Sequence, residues 1–236
     1  MRTVVIGIQA RSTSTRLPNK ISELLGKKPI IQHVVDACQN AAMYLNNWSS
    51  KNIFVQVVVL IPVGDPIRKA LPPELQVIEG HEFDVLSRYM MIFAKHDPDF
   101  VCRITADCPL IPSFIISKHI QTAVMNDYDY ISNVDERCRT APDGFDCEVI
   151  SKRAMLYAHQ EAHHEKDREH VTTYLRSHPP SWFRQGIYIN WIDQSDLKLS
   201  VDTENDLNLV RRFFDAVFGK LGIALRIYGR HNVHRY

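Results

Sequence analysis

The residues best suited to chemistry are three cations in one short loop near the start of the chain. Arg11, Arg16 and Lys20 are separated by hydroxyl side chains and follow an apolar run at residues 3–8. A guanidinium binds oxyanions through paired hydrogen bonds, lysine adds a point charge, and hydroxyls and free backbone N–H groups complete a phosphate site. The loop is therefore typical of polyphosphate binding. A solvated basic loop is the alternative, because the sequence here is neither a Walker loop nor a G-x-G-x-x-G motif.

Two aspartates at the ends of predicted strands form the second chemical feature. Asp107 follows a strand predicted at residues 100–104, and Asp202 directly follows one predicted at 197–201. Thr203 and Asp206 resemble a helix capping box, which leaves Asp202 without a structural role. Ligands of open α/β sheets bind outside the carboxyl ends of the strands. Two carboxylates there would be the usual protein contribution to a Mg²⁺ that is otherwise held by water and substrate phosphates.

The composition limits the possible partners. Lys and Arg total 28 against 27 Asp and Glu, so a net charge of +1 gives no field to attract nucleic acid or an anionic membrane. Five cysteines without a C-x-x-C pair argue against a disulfide framework and a zinc ribbon. No apolar stretch reaches the roughly 18 residues of a membrane span. We expect one cytoplasmic domain over residues 1–236, without nucleic-acid or membrane partners.

Hydrophobic periodicity predicts alternating strands and helices, which favours an α/β fold with a mostly parallel central sheet. Strands are predicted at residues 3–8, 53–61, 76–78, 100–104, 128–132, 145–150 and 197–201. Helices are predicted at 30–42, 84–95, 113–125, 151–163, 168–176 and 203–218. The other segments are a loop at 46–52, an aromatic, β-branched stretch at 182–192 and a polar tail at 226–236.

Seven segments, in order along the chain, resemble the sugar cytidylyltransferases. The resemblance is strongest to the spore-coat polysaccharide biosynthesis F-type branch, which is related to acylneuraminate and 3-deoxy-manno-octulosonate cytidylyltransferases. Each segment alone is weak, and their order together is specific. They are IQARSTSTRLPNK at 8–20, EGHEFDVLSRY at 79–89, RITADCPLI at 103–111, YDYISN at 128–133, PDGFDCEVIS at 142–151, DREHVTTYL at 167–175 and LSVDTENDL at 199–207.

The resemblance implies a nucleotide-diphospho-sugar transferase fold, a Rossmann-like three-layer sandwich, with CTP over the first loop and Mg²⁺ on Asp107 and Asp202. In such enzymes a sugar-acid hydroxyl attacks the α-phosphorus and pyrophosphate leaves, so positioning and charge neutralisation carry the catalysis. The residues that the resemblance assigns to the nucleotide and its triphosphate are Ala10, Arg11, Ser14, Arg16 and Lys20.

The resemblance also implies contacts further along the chain. Asp84 and Arg88 lie in the segment that approaches the nucleoside, although an aspartate and an arginine four residues apart at a helix start are equally a local ion pair. On the sugar side, Asp146 and Glu148 alternate along one predicted strand and face the same way, which an exposed sheet face would also show. The remaining sugar-side candidates are Glu169 and His170, at the start of a helix.

Three positions depart from the family pattern. Thr13, Asn19 and Ala106 stand where family members usually have glycine. Without glycine, the backbone loses room for close approach to phosphate, so side-chain hydroxyls substitute or the nucleotide preference has changed. The sequence does not identify the sugar, and it leaves a homodimer possible.

Two other functions remain open from the sequence. A glycosyltransferase of the same fold would need a D-x-D motif at a strand end, whereas Asp97-Pro98-Asp99 and Asp127-Tyr128-Asp129 both precede strands. A catalytically idle nucleotide-binding scaffold would explain the lost glycines. The joint presence of the loop cations and of both strand-end aspartates argues against that scaffold.

Overall fold

A computed structural model describes residues 1–47, 53–190 and 192–219. Its centre is a seven-stranded sheet with the order β5-β4-β1-β6-β8-β7-β9, and β2 and β3 form a separate small hairpin. The strands are β1 (Arg2–Gln9), β2 (Leu24–Leu25), β3 (Lys28–Pro29), β4 (Ile53–Pro62), β5 (Gln76–Gly80), β6 (Phe100–Thr105), β7 (Tyr130–Ser132), β8 (Glu148–Ser151) and β9 (Gln185–Ile187).

Helices cover both faces of the sheet, so the predicted mostly parallel α/β sandwich is confirmed. The first and third helices pack on one face, and the second, fourth and sixth pack on the other. The helices are α1 (Ile30–Asn47), α2 (Val85–His96), α3 (Ser113–Asn126), α4 (Lys152–Glu161), α5 (Glu165–His170), α6 (Thr173–Ser177) and α7 (Glu204–Phe214).

Strand β1 forms the middle of the sheet because both of its faces are apolar. Val4, Ile6 and Ile8 pack towards α1 and α3, whereas Val5 packs towards α2. Each of these side chains is at most 2% exposed. Burying an aliphatic side chain of this size contributes about 1.5–3 kcal/mol, so the strand that leads into the cationic loop is firmly held.

The parallel register brings the ends of three strands to one edge of the sheet. Gln9 of β1 lies beside Leu60 of β4 and Thr105 of β6. The ladder continues one residue further, because Ala10 N donates to Leu60 O and Ala106 N donates to Gln9 O, both at 2.9 Å. The cationic loop and Asp107 therefore leave the sheet side by side. Within the seven-stranded sheet only β8 is antiparallel to its neighbours.

The predicted strand at residues 197–201 is wrong. The segment makes only an isolated bridge, in which Asp143 N donates to Leu197 O at 2.9 Å and Leu199 N donates to Asp143 O at 2.6 Å. A further bond from Val201 N to Asp107 O, 2.9 Å long, ties its end to the loop after β6. The segment thus bridges two loops and joins no strand, yet it delivers Asp202 to the same sheet edge.

The single helix predicted at residues 168–176 is also wrong, because the chain breaks at Val171. Its φ of 62° and ψ of −55° are unusual for a β-branched residue, and Thr172 N donates to His170 O across the turn at 2.6 Å. Val171 is fully buried in the core, and Thr172 Oγ1 donates to the buried Glu148 at 2.7 Å. Core packing and this hydrogen bond hold the turn and interrupt the helix.

Several other boundaries differ from the predictions. β7 begins at Tyr130 and β8 at Glu148, later than predicted, and the stretch at 182–192 contains only the short β9. The last helix becomes a π-helical turn over Asp215–Gly219. Residues 48–52 of the predicted loop, Trp191 and the tail at 226–236 lie outside the described residues. No helix within the described ranges is long and apolar enough to cross a membrane.

Gly144 fixes the approach between the loop before β8 and the segment before Asp202. Its φ is +107°, and a Cβ there would lie 2.5 Å from the backbone carbon of Leu199 and from Ser200 N. We therefore expect Gly144→Ala to lower the free energy of unfolding by about 2–4 kcal/mol, since neither backbone can yield cheaply. Urea denaturation of both proteins measures this loss.

Gly64 is the matched control for that variant. Its φ is +73°, but a Cβ there meets nothing within 4 Å. Gly64→Ala is expected to lower the free energy of unfolding by only about 1–2 kcal/mol, the backbone strain alone. Equal losses in the two variants would contradict the role given to the contact between Gly144 and residues 199–200.

Candidate active site

The cationic loop is held by its own backbone and by one buried carboxylate. Asp65 is only 5% exposed, and its Oδ2 accepts from Ser12 N at 2.9 Å. Asn19 N donates to Ser12 O at 3.0 Å, which closes the loop before the short 3₁₀ turn Lys20–Ser22 begins. The loop is thus a fixed structure whose side chains have defined directions.

One cavity at the carboxyl edge collects the triphosphate and metal residues that the sequence predicts. It lies between the loop after β1, the loop after β6 and the start of α7. Its walls also include Gln9, Thr15, Ile21, Thr105 and Ala106. The predicted residues that line it are Ala10, Arg11, Ser14, Arg16, Lys20, Asp107 and Asp202.

The ammonium group of Lys20 joins Asp107 and Asp202 inside this cavity. Lys20 Nζ lies 2.7 Å from Asp107 Oδ2 and 3.0 Å from Asp202 Oδ1, and the side chain is only 9% exposed. Burial lowers the pKa of an ammonium group, but the two carboxylates outweigh it, so the pKa of Lys20 lies above its ordinary value. Three distant parts of the chain therefore meet in one charged cluster.

Asp202 is the most heavily paired carboxylate of this cavity. Its Oδ1 also accepts from Arg16 at 2.8 Å, and Lys198 Nζ lies 3.3 Å from Oδ2. Burial raises the pKa of Asp202, but the hydrogen bond and charge of Lys20 outweigh burial and lower it. The predicted capping box is confirmed, because Thr203 Oγ1 accepts from Asp206 N and the Asp206 carboxylate accepts from Thr203 N.

Asp107 and Asp202 have the chemistry of a hard divalent cation site. Their carboxylates converge on a single cationic atom, and carboxylate oxygens are the donors that Mg²⁺ prefers. They would supply two ligands to such a cation, and the described residues contain no cluster of three or more His, Cys, Asp or Glu side chains that could hold a metal alone. The donor set thus fits a cation completed by water and a phosphate ligand.

Asp84 and Arg88 do not form the local ion pair that their spacing allows. Asp84 caps α2 by accepting from Ser87 N at 2.9 Å, and its other oxygen accepts from Arg168 Nε at 2.8 Å. Arg88 is fully buried, so it does not reach the surface of the cavity, and it donates to backbone carbonyls beneath the cationic loop. Arg88 is therefore not positioned to contact the base or the ribose directly.

A second cavity adjoins the sugar-side candidates. It lies between β6, β8, the loop at residues 134–146 and helices α5 and α6. Asp146, Glu148 and His170 line it. The interpretation of these acids as an exposed sheet face is wrong, since Glu148 is 2% exposed.

Three donors contact the carboxylate of Glu148 in the wall of the second cavity. Its carboxylate pairs with Arg103, accepts from Tyr130 Oη at 2.5 Å and accepts from Thr172 Oγ1 at 2.7 Å. Burial raises the pKa of Glu148, but the charge of Arg103 and these hydrogen bonds outweigh it, so the pKa is lowered. Glu148 is a fixed, ionised part of the wall.

Asp146 precedes β8 and does not share a strand with Glu148, contrary to the prediction. Its carboxylate pairs with Arg139, which also donates to Ala141 O at 3.0 Å and Pro142 O at 2.8 Å. Burial raises the pKa of Asp146 against the opposing charge of Arg139. With 28% of its side chain exposed, Asp146 remains accessible from the cavity.

Glu169 lies between the two cavities. Its Oε1 is 3.3 Å from Arg11 Nη2, and both side chains are 38% exposed. Glu169 does not line the second cavity, where its neighbour His170 lies. The pair therefore links the cationic loop to α5, and all three loop cations have carboxylate partners.

Sequence reasoning missed several residues of the two sites. Asp65 follows the end of β4 and satisfies the same strand-end criterion that identified Asp107, so it could have been found. The cations of the second cavity carry no local signal, because their role arises from loops and helices that meet only in the fold. They are Arg103, Arg139, Lys166 and Arg176.

The three departures from family glycines have structural explanations. Asn19 has a φ of 58°, a left-handed conformation that asparagine tolerates better than most residues. Thr13 Oγ1 donates to Glu82 Oε1 at 2.7 Å, which gives this loop a side-chain anchor. Ala106 is 2% exposed and its N–H continues the ladder from β1. None of the three blocks the cavity.

Comparisons with known proteins agree with this geometry. The sequence profile of the cytidylyltransferase family matches residues 4–215. The spore coat polysaccharide biosynthesis protein SpsF of Bacillus subtilis (strain 168) is 26% identical over 229 residues, which are 91% of this chain and 87% of SpsF.

Two solved structures have the same fold. A cytidylyltransferase from Leptospira borgpetersenii serovar Hardjo-bovis has a TM-score of 0.79 at 22% identity and covers 100% of both chains. A CMP:2-keto-3-deoxy-manno-octonic acid synthetase complexed with CTP has a TM-score of 0.65 at 15% identity and covers 92% of this chain and 99% of its own. The predicted nucleotide-diphospho-sugar transferase fold is thereby confirmed, and by the profile match the chain belongs to the cytidylyltransferase family.

Proposed function

We propose that this protein transfers CMP from CTP to a sugar acid, with Mg²⁺ as cofactor, and that the activated sugar serves surface polysaccharide synthesis. The relative SpsF is named for spore coat polysaccharide biosynthesis, and the related synthetase is complexed with CTP. The observation that carries the proposal is the cavity at the carboxyl edge, which gathers the predicted triphosphate and metal residues, although not the predicted nucleoside contacts Asp84 and Arg88.

The reaction requires an exchange of ionic partners around the triphosphate. Arg11, Arg16 and Lys20 would leave their carboxylates and neutralise the β- and γ-phosphates, and Asp107 and Asp202 would hold Mg²⁺. Bound Mg²⁺ supplies positive charge against the phosphate oxygens. The sugar hydroxyl oxygen forms a bond to the α-phosphorus, its proton passes to water, and the bond from the α-phosphorus to the bridging oxygen breaks as pyrophosphate leaves.

Charge in the second cavity supports an acidic acceptor. Arg103 and Arg139 are neutralised there by Glu148 and Asp146. Within the described part of the chain, the other two cations of the cavity, Lys166 and Arg176, have no carboxylate within ion-pair distance. Because Glu136 also lines the cavity, its walls carry four cations and three carboxylates. This excess of one positive charge beside fixed hydrogen-bonding groups favours a hydroxylated ligand with a carboxylate, the chemistry of a sugar acid.

A glycosyltransferase that uses a D-x-D motif receives no support from the position of its candidate motifs. Asp99 pairs with Arg2 at 3.1 Å and Asp127 pairs with Arg2 at 3.2 Å. Asp129 is 1% exposed and pairs with Arg153. These aspartates lie at the starts of β6 and β7, at the opposite sheet edge from the cationic loop, and they form structural ion pairs.

Nucleotide binding is tested by thermal unfolding with CTP, UTP, GTP and ATP, each with and without Mg²⁺. A ligand at a hundred times its Kd adds about 2.7 kcal/mol of apparent stability. We expect a Mg²⁺-dependent stabilisation by CTP alone. We expect Asp107→Asn to lose it, because an amide is a poor ligand for Mg²⁺ and only Asp202 then remains as a carboxylate ligand.

Glu79→Gln is the control for the loss of a surface carboxylate. Glu79 accepts from Gly64 N at 3.0 Å in the loop after β4, away from the cavity walls. This variant is expected to retain the full CTP response. A flat response of the unaltered protein to all four nucleotides would overturn the proposed function, whereas a response to nucleotide sugars alone would favour a glycosyltransferase.

The metal assignment is tested with Lys20→Met and Mn²⁺. Removing the ammonium leaves two carboxylates without their shared counter-ion, so the variant is expected to bind Mn²⁺ at least about tenfold more tightly than the unaltered protein in the absence of nucleotide. Electron paramagnetic resonance of free Mn²⁺ measures the affinity without reference to activity.

Lys198→Met is the matched control. Lys198 lies 3.3 Å from Asp202 and has no ion pair with Asp107, so its removal affects one carboxylate of the two. We expect a gain in Mn²⁺ affinity of less than about threefold, because Lys20 still joins both aspartates. An unchanged Mn²⁺ affinity in Lys20→Met would contradict a metal site on Asp107 and Asp202.

The acceptor assignment is tested with Arg176→Gln in a pyrophosphate-release assay over a panel of sugar acids. Because this cation faces the acceptor and not CTP, we expect the KM of the sugar acid to rise by about tenfold while the KM of CTP stays constant. Arg212→Gln, on the exposed side of α7, should change neither KM. An equal change in both KM values would contradict a direct role in acceptor binding.

A further inference from the structure

A buried arginine lies beneath the cationic loop and lines neither of the two cavities. Arg88 lies on α2, and its side chain is among the largest fully buried ones of the protein. Buried arginines normally pair with a carboxylate, since a charge without compensation is costly in a low dielectric. Arg88 instead donates to backbone carbonyls, so the protein keeps a charge at this place for a reason other than an ion pair.

The carbonyls that Arg88 contacts belong to three separate segments at the sheet edge. Its Nη1 lies 3.2 Å from Leu60 O and 3.4 Å from Ala10 O, and its Nη2 lies 3.3 Å from Glu82 O. Ala10 is the residue from which the cationic loop departs, and Leu60 O also accepts from Ala10 N. One guanidinium thus fixes the peptide that precedes Arg11 from below.

Arg88 also acts on the tip of the loop through Glu82. The backbone of Glu82 is held by Arg88, and its side chain accepts from Thr13 Oγ1 at 2.7 Å. The base and the tip of the loop are therefore fastened to the same buried group. Gly80 makes room for it, because a Cβ on Gly80 would lie 2.7 Å from Arg88 Cγ.

Charged groups of both signs lie around Arg88. Asp65 and Glu82 attract the guanidinium, and Arg11 repels it. Asp65 Oδ2 is already bound to Ser12 N, and Glu82 to Thr13. Burial lowers the pKa of Arg88, yet an arginine stays charged at neutral pH. Arg11 and Arg88 are thus two positive charges on either side of one loop.

We propose that Arg88 is a positioning residue for the triphosphate: it fixes the loop from beneath through Ala10, Leu60 and Glu82, and its buried charge adds to the attraction for the phosphate chain. The inference rests on the proposed binding of CTP at this loop. It changes the role of Arg88 from a nucleoside contact to a group that acts on the phosphates without touching them. Its effect must therefore grow with the number of phosphates on the ligand.

The test compares the affinities of CTP and CMP by calorimetry in the unaltered protein and in Arg88→Met. We expect the Kd of CTP to rise by at least about tenfold and the Kd of CMP by less than about twofold, so the affinity ratio of the two nucleotides falls. Arg88→Lys, which keeps the charge but lacks the planar fork, should lie between these limits. It also keeps the test decisive if the methionine variant does not fold.

Tyr89→Phe is the matched control, because Tyr89 is the next residue on α2 and is equally buried. Its hydroxyl donates to Gly7 O at 3.0 Å, inside β1 and below the loop. The variant loses one buried hydrogen bond to the same strand and leaves the loop contacts in place. We expect it to lower the melting temperature and to leave the ratio of CTP to CMP affinity unchanged.

The outcomes separate this inference from the proposed function. An unaltered protein that binds CTP no more tightly than CMP would overturn the proposed triphosphate site itself. If the unaltered protein prefers CTP, and Arg88→Met or Arg88→Lys weakens both nucleotides by the same factor, Arg88 has a structural role only and the inference is wrong. A change confined to CTP supports it.

Discussion

The contact on which the active-site architecture depends is the ammonium of Lys20 between the carboxylates of Asp107 and Asp202. It joins residues from the first loop, the loop after β6 and the start of α7. Two different interactions bring the aspartates to this point. Strand register places Asp107, and the hydrogen bond from Val201 N to Asp107 O brings Asp202 beside it. Ion pairs thus hold these three segments together at the sheet edge as much as packing does.

This contact belongs to a set of ion pairs in which the charged groups of the cavity neutralise one another. Arg11, Arg16 and Lys20 each hold a carboxylate, so a triphosphate must replace existing partners and does not meet free cations. Removing one member of a buried pair leaves an uncompensated charge, which is far more destabilising than losing the pair as a whole. Under the proposed function, metal and phosphate would assist each other, since the phosphate would take the cations and the metal would take the carboxylates that are released.

Local patterns in the sequence predicted much of this site and only part of the fold around it. A strand end followed by a charged residue identified Asp107, because the parallel sheet dictates where such residues emerge. The same pattern pointed to Asp202, although the segment before it is not a strand and reaches the sheet edge through a hydrogen bond to Asp107 O. The same patterns could not show that Glu148 has three partners or that Val171 breaks a helix. Those features arise from contacts between residues 18 or more positions apart and from burial, which periodicity does not encode.

The two cavities differ in how freely their charged groups can respond to a ligand. Glu148 is 2% exposed and accepts hydrogen bonds from three donors. It therefore keeps its partners and fixes the shape of the second cavity. The pair between Arg11 and Glu169 is half exposed and spans the boundary between the cavities. Under the proposed function, an Arg11 that turned to a phosphate would leave Glu169 without its partner, beside His170 of the second cavity. Occupation of the first cavity would thereby alter the charge at the entrance to the second and couple the two through one ion pair.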